Sequence, residues 1–103
     1  MEANVLSMGN KRVVKLVGKL DYKGHRIFND ACMPLLQQAD ARTVDINLAG
    51  IDYIDSSGLG LLMLLNEKAQ AVGKDVVLSH PQPTVLQILN VANMEQLFDI
   101  VDK

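Results

Sequence analysis

Alternating strand-like and helix-like segments predict an α/β fold with a mostly parallel sheet, opened by an antiparallel hairpin. The hairpin is read from Gly9-Asn10, a tight-turn pair between two short apolar-rich segments. The parallel part is read from β-like runs at residues 43–48 and 75–79, each leading towards a helical run. A chain of 103 residues has the size of one compact domain, taken as residues 1–103, and it carries no internal repeat, linker or low-complexity segment.

Residues 4–8 and 12–17 form the expected hairpin strands, and Gly18-Lys19-Leu20-Asp21 closes the second. Residues 22–38 are expected to be helical, with Ile27, Phe28, Ala31, Leu35 and Leu36 as an apolar stripe. Pro34 inside that stripe works against an unbroken helix. In residues 43–48, Val44, Ile46 and Leu48 alternate with Asp45 and Asn47, the period of a half-buried strand. Ala49-Gly50 then separates this strand from residues 51–54. Residues 59–72 carry the strongest helical pattern, with Leu62, Leu65, Ala69 and Val72 on one face and Gly73 as the stop signal. Residues 75–79 read as a short buried strand ended by His80-Pro81. A helix over 84–89, a helical turn over 94–99 and an edge strand at 100–101 complete the chain. Parallel βα units send the segments after each strand to one sheet edge, so 18–23, 52–60 and 79–83 are expected neighbours.

Composition narrows the function. Hydrophobic residues make up 49% and charged residues 21%, the balance of a globular protein. A formal net charge of −2 and the absence of a Lys/Arg run argue against direct nucleic-acid binding. Cys32 stands alone, so neither an internal disulfide nor a cysteine-spaced metal site is expected, and a reducing cytoplasm is the simplest compartment. Met1-Glu2-Ala3-Asn4 lacks the pattern of a signal peptide. The most apolar run, residues 59–65, is far shorter than the ~20 residues that cross a bilayer, so no membrane insertion is expected. His25 and His80 are too few and too far apart for a metal centre, and nothing calls for a cofactor.

The junction Asp55-Ser56-Ser57-Gly58-Leu59-Gly60 carries the chemistry. Two hydroxyls stand where a helix begins, beside N–H groups with no intrahelical partner. Taken locally they read as helix caps. Two glycines in the first helical turn each cost roughly 1 kcal/mol against Ala, and they are expected to keep the surface bare around the serines. No Lys-Ser/Thr follows them as in a nucleotide loop.

The run Tyr53-Ile54-Asp55-Ser56-Ser57-Gly58-Leu59-Gly60-Leu61-Leu62 resembles the signature of STAS-domain proteins, the anti-sigma factor antagonists. Val17-Gly18-Lys19-Leu20-Asp21 is similar to the family's early Gly-Glu-Leu-Asp element, with Lys19 in place of the usual acid. Asp45-Ile46-Asn47-Leu48-Ala49-Gly50-Ile51, Val77-Leu78-Ser79-His80-Pro81 and Val91-Ala92-Asn93-Met94-Glu95-Gln96-Leu97-Phe98 resemble later parts of the family in order, with Asn93 where a glycine is more usual.

The resemblance implies a right-handed βα superhelix with helices packed on one face. It implies a phosphorylated serine at Ser56, modified by a serine kinase that is often itself the anti-sigma factor and reset by a PP2C-type phosphatase. The unphosphorylated form binds the kinase or another partner and the phosphorylated form lets go, without enzymatic activity of its own. Asp21, Lys23, Asp55, Ser56, Ser57, Gly58, Leu59, Gly60 and Met63 are the expected partner-binding residues. Ser57 is expected to be a supporting hydroxyl, Asp55 a cap or turn residue that positions the site, and Asp21 a turn or contact acid. Phosphate would add about −1.5 to −2 charge beside Asp55. A hydrolase is disfavoured, because no Gly-x-Ser-x-Gly elbow is present and His80 is the sole base that topology could bring near. The other alternative is a constitutive accessory subunit of a larger assembly.

Overall fold

Gly9 adopts φ 63°, which lets the chain reverse in two residues, so β1 (Glu2–Met8) pairs antiparallel with β2 (Lys11–Leu20). The computed structural model describes residues 1–101, leaving the last two of the expected domain range outside the described residues. After β2 come a 3₁₀ turn (Tyr22–Gly24), α1 (His25–Cys32) and a second 3₁₀ segment (Met33–Gln37). β3 (Thr43–Ile54), α2 (Ser56–Ala71), β4 (Asp75–Ser79) and α3 (Pro83–Val91) follow. A 3₁₀ turn (Met94–Gln96) and β5 (Asp99–Val101) end the described chain. The strand order is β1-β2-β3-β4-β5, antiparallel between β1 and β2 and parallel elsewhere.

Alternation along the strands places the core. Val14 and Leu16 of β2, Val44, Ile46 and Leu48 of β3, and Val76 and Leu78 of β4 point to one side of the sheet. There they meet Phe28 and Cys32 of α1, Leu62, Leu65 and Ala69 of α2, and Val85 and Leu89 of α3. The helices thus cover one face. On the other face, Asp45 is nevertheless buried, accepting a hydrogen bond from the Ser79 hydroxyl with the Lys11 ammonium 3.7 Å away.

Several expected boundaries shift for physical reasons. Residues 22–38 are not one helix: α1 stops at Cys32, and Pro34 sits at the start of the following 3₁₀ segment, where its missing N–H leaves no bond broken. Ile27, assigned to the stripe, is exposed, and Cys32 takes its place in the core. Ala49-Gly50 does not break β3. Gly50 lies where a Cβ would come within 2.6 Å of the Leu16 carbonyl oxygen, at an irregularity in the β2–β3 register. Val72 is exposed, and Gly58 instead begins the buried face of α2.

A buried polar tie closes the end of the sheet remote from the serines. The Arg12 guanidinium donates to Gln38 Oε1 at 2.7 Å and to the Gly9 carbonyl at 2.9 Å, and pairs with Asp40 at 2.8 Å. Lys74 donates its ammonium protons to the carbonyls of Gln38 and Ala41. The basic side chains are buried, and these partners supply what desolvation removes.

Candidate functional site

Two adjacent strands end in the same four-residue turn. At the end of β2, Asp21 Oδ1 accepts from the Gly24 N–H at 3.2 Å. At the end of β3, Asp55 Oδ1 accepts from the Gly58 N–H at 2.9 Å. Each aspartate is extended and caps the helical turn that follows it, the usual work of a short carboxylate at a helix start. The two turns are fastened together through Leu20. Its carbonyl accepts the Asp55 N–H at 3.4 Å, and a Cβ on Gly58 would lie 2.0 Å from its oxygen. Only a glycine lets the start of α2 sit so close to the end of β2.

Asp55, not either serine, is therefore the cap. Ser56 and Ser57 occupy the first two positions of α2, both exposed, and among the described residues neither hydroxyl makes a hydrogen bond. Asp21 and Asp55 are half-buried and Lys23 is exposed. The expected bareness divides between the two glycines. Gly58 is buried against Leu20 and offers no surface to a partner, whereas Gly60 is exposed, with open space where a Cβ would stand. Leu59 is half-buried and lines a shallow apolar groove with Ile88 and Val91 of α3. Met63 is exposed, beside Gly60 and Leu97 in a second shallow groove.

The structure brings the 18–23 and 52–60 segments together, as expected, but not 79–83. The last β4 residue, Ser79, pairs with Asn47, whereas β3 continues to Ile54. Gln82 donates to the Ala49 carbonyl at 2.9 Å, and the His80 N–H donates to the Val101 carbonyl at 2.6 Å. His80, with φ 53°, is thereby held at the β4–β5 end, well back along β3 from Ser56.

The side of α3, rather than the loop before it, reaches the serine helix. Sequence reasoning missed Ile88, Val91 and Leu97. The available signal was surplus: α3 carries Val85, Leu86, Ile88, Leu89 and Val91, more apolar residues than one buried stripe uses. It also missed Tyr22 and His25 beside Asp21. Their rings stack with centroids 4.9 Å apart, and Nδ1 of His25 lies 2.7 Å from the Tyr22 carbonyl, which fixes the proton on Nδ1.

Among the described residues, no group of His, Cys, Asp or Glu could hold a metal ion. Cys32 is buried and its thiol pKa is pushed up to about 12 by desolvation, so it is inert at neutral pH. Among the described residues, no helix is long and apolar enough to cross a membrane.

This arrangement, a free hydroxyl on a helix start that an aspartate caps, coincides with a family match along the chain. The family model described as "Mlab, STAS domain" matches residues 4–102. The chain belongs to the STAS-domain family. It is 34% identical over 92 residues to a STAS-domain containing protein of Pseudomonas aeruginosa, covering 89% of each chain. It is 27% identical over 82 residues to an anti-sigma F factor antagonist of Lysinibacillus sphaericus, covering 80% of this chain and 70% of that one. Among solved structures, the anti-sigma factor antagonist SpoIIAA in its unphosphorylated form matches with a TM-score of 0.74 at 20% identity, over 98% of this chain and 88% of the other. Its phosphorylated form matches with a TM-score of 0.72 at 20% identity, over 96% and 90%.

The two departures from the STAS pattern have local explanations. Lys19 lies opposite Tyr53 in the register; its ammonium is 3.6 Å from Asp52 and 5.6 Å from the Tyr53 ring centroid. An acid there would face Asp52. Asn93 adopts φ 58°, the left-handed conformation that glycine takes most readily and asparagine tolerates better than other residues.

Proposed function

We propose that this STAS protein is a non-enzymatic phosphoswitch of the anti-sigma factor antagonist type, with Ser56 as its phosphorylated residue. One observation carries the reading: Asp55 does the capping, so the exposed Ser56 hydroxyl is free of any structural duty. A kinase supplies the positioning and charge stabilisation that phosphoryl transfer needs, and the substrate need only present an uncovered hydroxyl. Phosphate at the first position of α2 gains a modest ~0.3–1 kcal/mol from the helix dipole, so the fold accepts it. A partner packed on Asp21, Lys23, Ser57, Leu59, Gly60 and Met63 meets new charge and bulk beside Asp55, and releases. The partners in this reading are a serine kinase acting as anti-sigma factor and a PP2C-type phosphatase, in the cytoplasm, with residues 1–103 as one domain.

Incubation with the cognate kinase and ATP, followed by mass spectrometry, tests the site. Phosphate is expected on Ser56 and absent from Ser56→Ala. Undiminished phosphorylation of Ser56→Ala, mapped to Ser57, rejects it.

The exposed apolar side chains Met63, Val91 and Leu97 favour a second reading, a constitutive accessory subunit that docks through this surface. Phosphate-affinity electrophoresis of protein from cells separates the two, since an accessory subunit need never carry phosphate.

A further inference from the structure

β1 is an edge of the sheet, and beyond Glu2 at its start it lacks the devices that ordinarily keep an edge from pairing. Its residues include no Lys, Arg or Pro, and its register with β2 runs from Glu2 to Met8 without a bulge. The exposed apolar side chains lie on both faces of this edge. Val5, opposite the core residue Val14, points to the helical side and is 41% exposed. Leu6, Met8 and Val17 of β2 belong to the bare side and are 45%, 58% and 46% exposed. A partner laid on either face would cover one set and leave the other in water. A strand added to the edge covers both.

We propose that this strand is β1 of a second copy of the chain, paired antiparallel. Two identical strands pair antiparallel in one sheet about a two-fold axis perpendicular to it, which keeps both helical layers on the same side. Side-chain alternation then requires each residue to oppose one pointing the same way. Val5 is the midpoint of β1, so placing it on the axis pairs the whole strand: Glu2 with Met8, Ala3 with Ser7 and Asn4 with Leu6 of the other copy. Glu2, the one charged residue of β1, comes beside Met8 of the other copy, whose neighbour on β2 is Lys11. The register sets no like charges together and brings an acid towards a base.

One strand a side is well short of the roughly 20–30 residues of a stable interface, so the dimer is weak and forms at high concentration. Strand reversal sends the two Ser56 sites to opposite ends of the doubled sheet, both uncovered. The pairing therefore stands apart from the phosphoswitch.

Cross-linking of Val5→Cys in the full chain tests the register. Opposed Cα atoms in an antiparallel pair lie about 4.5–5.5 Å apart, within the ~4.4–6.8 Å that a disulfide spans. The native thiol, Cys32, is buried and does not compete. Oxidation is expected to convert Val5→Cys into a covalent dimer, while Ser7→Cys, displaced from its own counterpart along the strand, stays monomeric. Sedimentation equilibrium of the wild type is expected to give a mass that rises with concentration towards twice the monomer. Val5→Lys, which sets like charges on the axis, is expected to abolish that rise with unchanged circular dichroism. A wild type that remains monomeric overturns the proposal and leaves the edge to a strand from another protein. Equal cross-linking of Val5→Cys and Ser7→Cys overturns it as well.

Discussion

Gly58 and Gly60 are two residues apart in one helical turn, and the same substitution has opposite effects on them. In Gly58→Ala the new methyl meets the Leu20 carbonyl, so the start of α2 must lift from β2. A loss of about 3 kcal/mol is expected, at the upper end for overpacking. In Gly60→Ala the methyl enters open space, and helix propensity alone gives a gain of roughly 1 kcal/mol. Urea denaturation of both variants checks the signs. If the bareness of Gly60 serves a partner, Gly60→Ala binds it more weakly despite greater stability. The serine motif was legible in the chain, but this division of labour was not. Nothing near Gly58 in sequence announces a carbonyl 38 positions earlier, from Leu20, and propensity treats the two glycines alike.

At the scale of elements, the turn after β2 separates fold from recognition in the same way. Asp21→Ala removes a cap and is expected to lower stability by ~1 kcal/mol. Lys23 is exposed, so Lys23→Glu is the cleaner probe of binding. It is expected to weaken the kinase-type partner with an unchanged melting temperature, read by calorimetry beside a thermal melt. Unchanged affinity removes this turn from the interface. Periodicity and the Gly9 turn made the hairpin, the first part of β3, β4 and α2 readable, because each is marked by a pattern within a few residues. Elements shaped by distant backbone were not. Gly50 reads as a turn yet continues β3, since it yields room to β2, and Pro34 marks the change from α1 to a 3₁₀ segment that periodicity alone runs together. The 79–83 segment was misplaced because strand lengths, which decide how far each loop reaches, come from pairing.

For the whole molecule, the proposed switch turns on its sign. Ser56→Asp is expected to bind the kinase-type partner about 30- to 150-fold more weakly than Ser56→Ala, the equivalent of ~2–3 kcal/mol for desolvating a carboxylate beside Asp55. Phosphate carries more charge, so the mimic sets a lower bound. Titration calorimetry of both variants and of the phosphorylated protein against one partner checks it. Tighter binding of the phosphorylated form points to an arginine cluster on the partner and overturns release, leaving the site assignment intact.

β3 runs on for residues 48–54 after β4 has ended, bonded on one side to β2. The sheet thus narrows towards β2 and β3 at the end that carries the paired aspartate turns, with Leu48, Ile51 and Ile54 still buried in the core beneath the helices. A partner gripping that narrow end would meet the two aspartate turns and the start of α2 before His80 or Val101, which lie back along the sheet. A kinase that grips this end, as proposed, is expected to tolerate changes of length and charge in the loops at His80 and Val101.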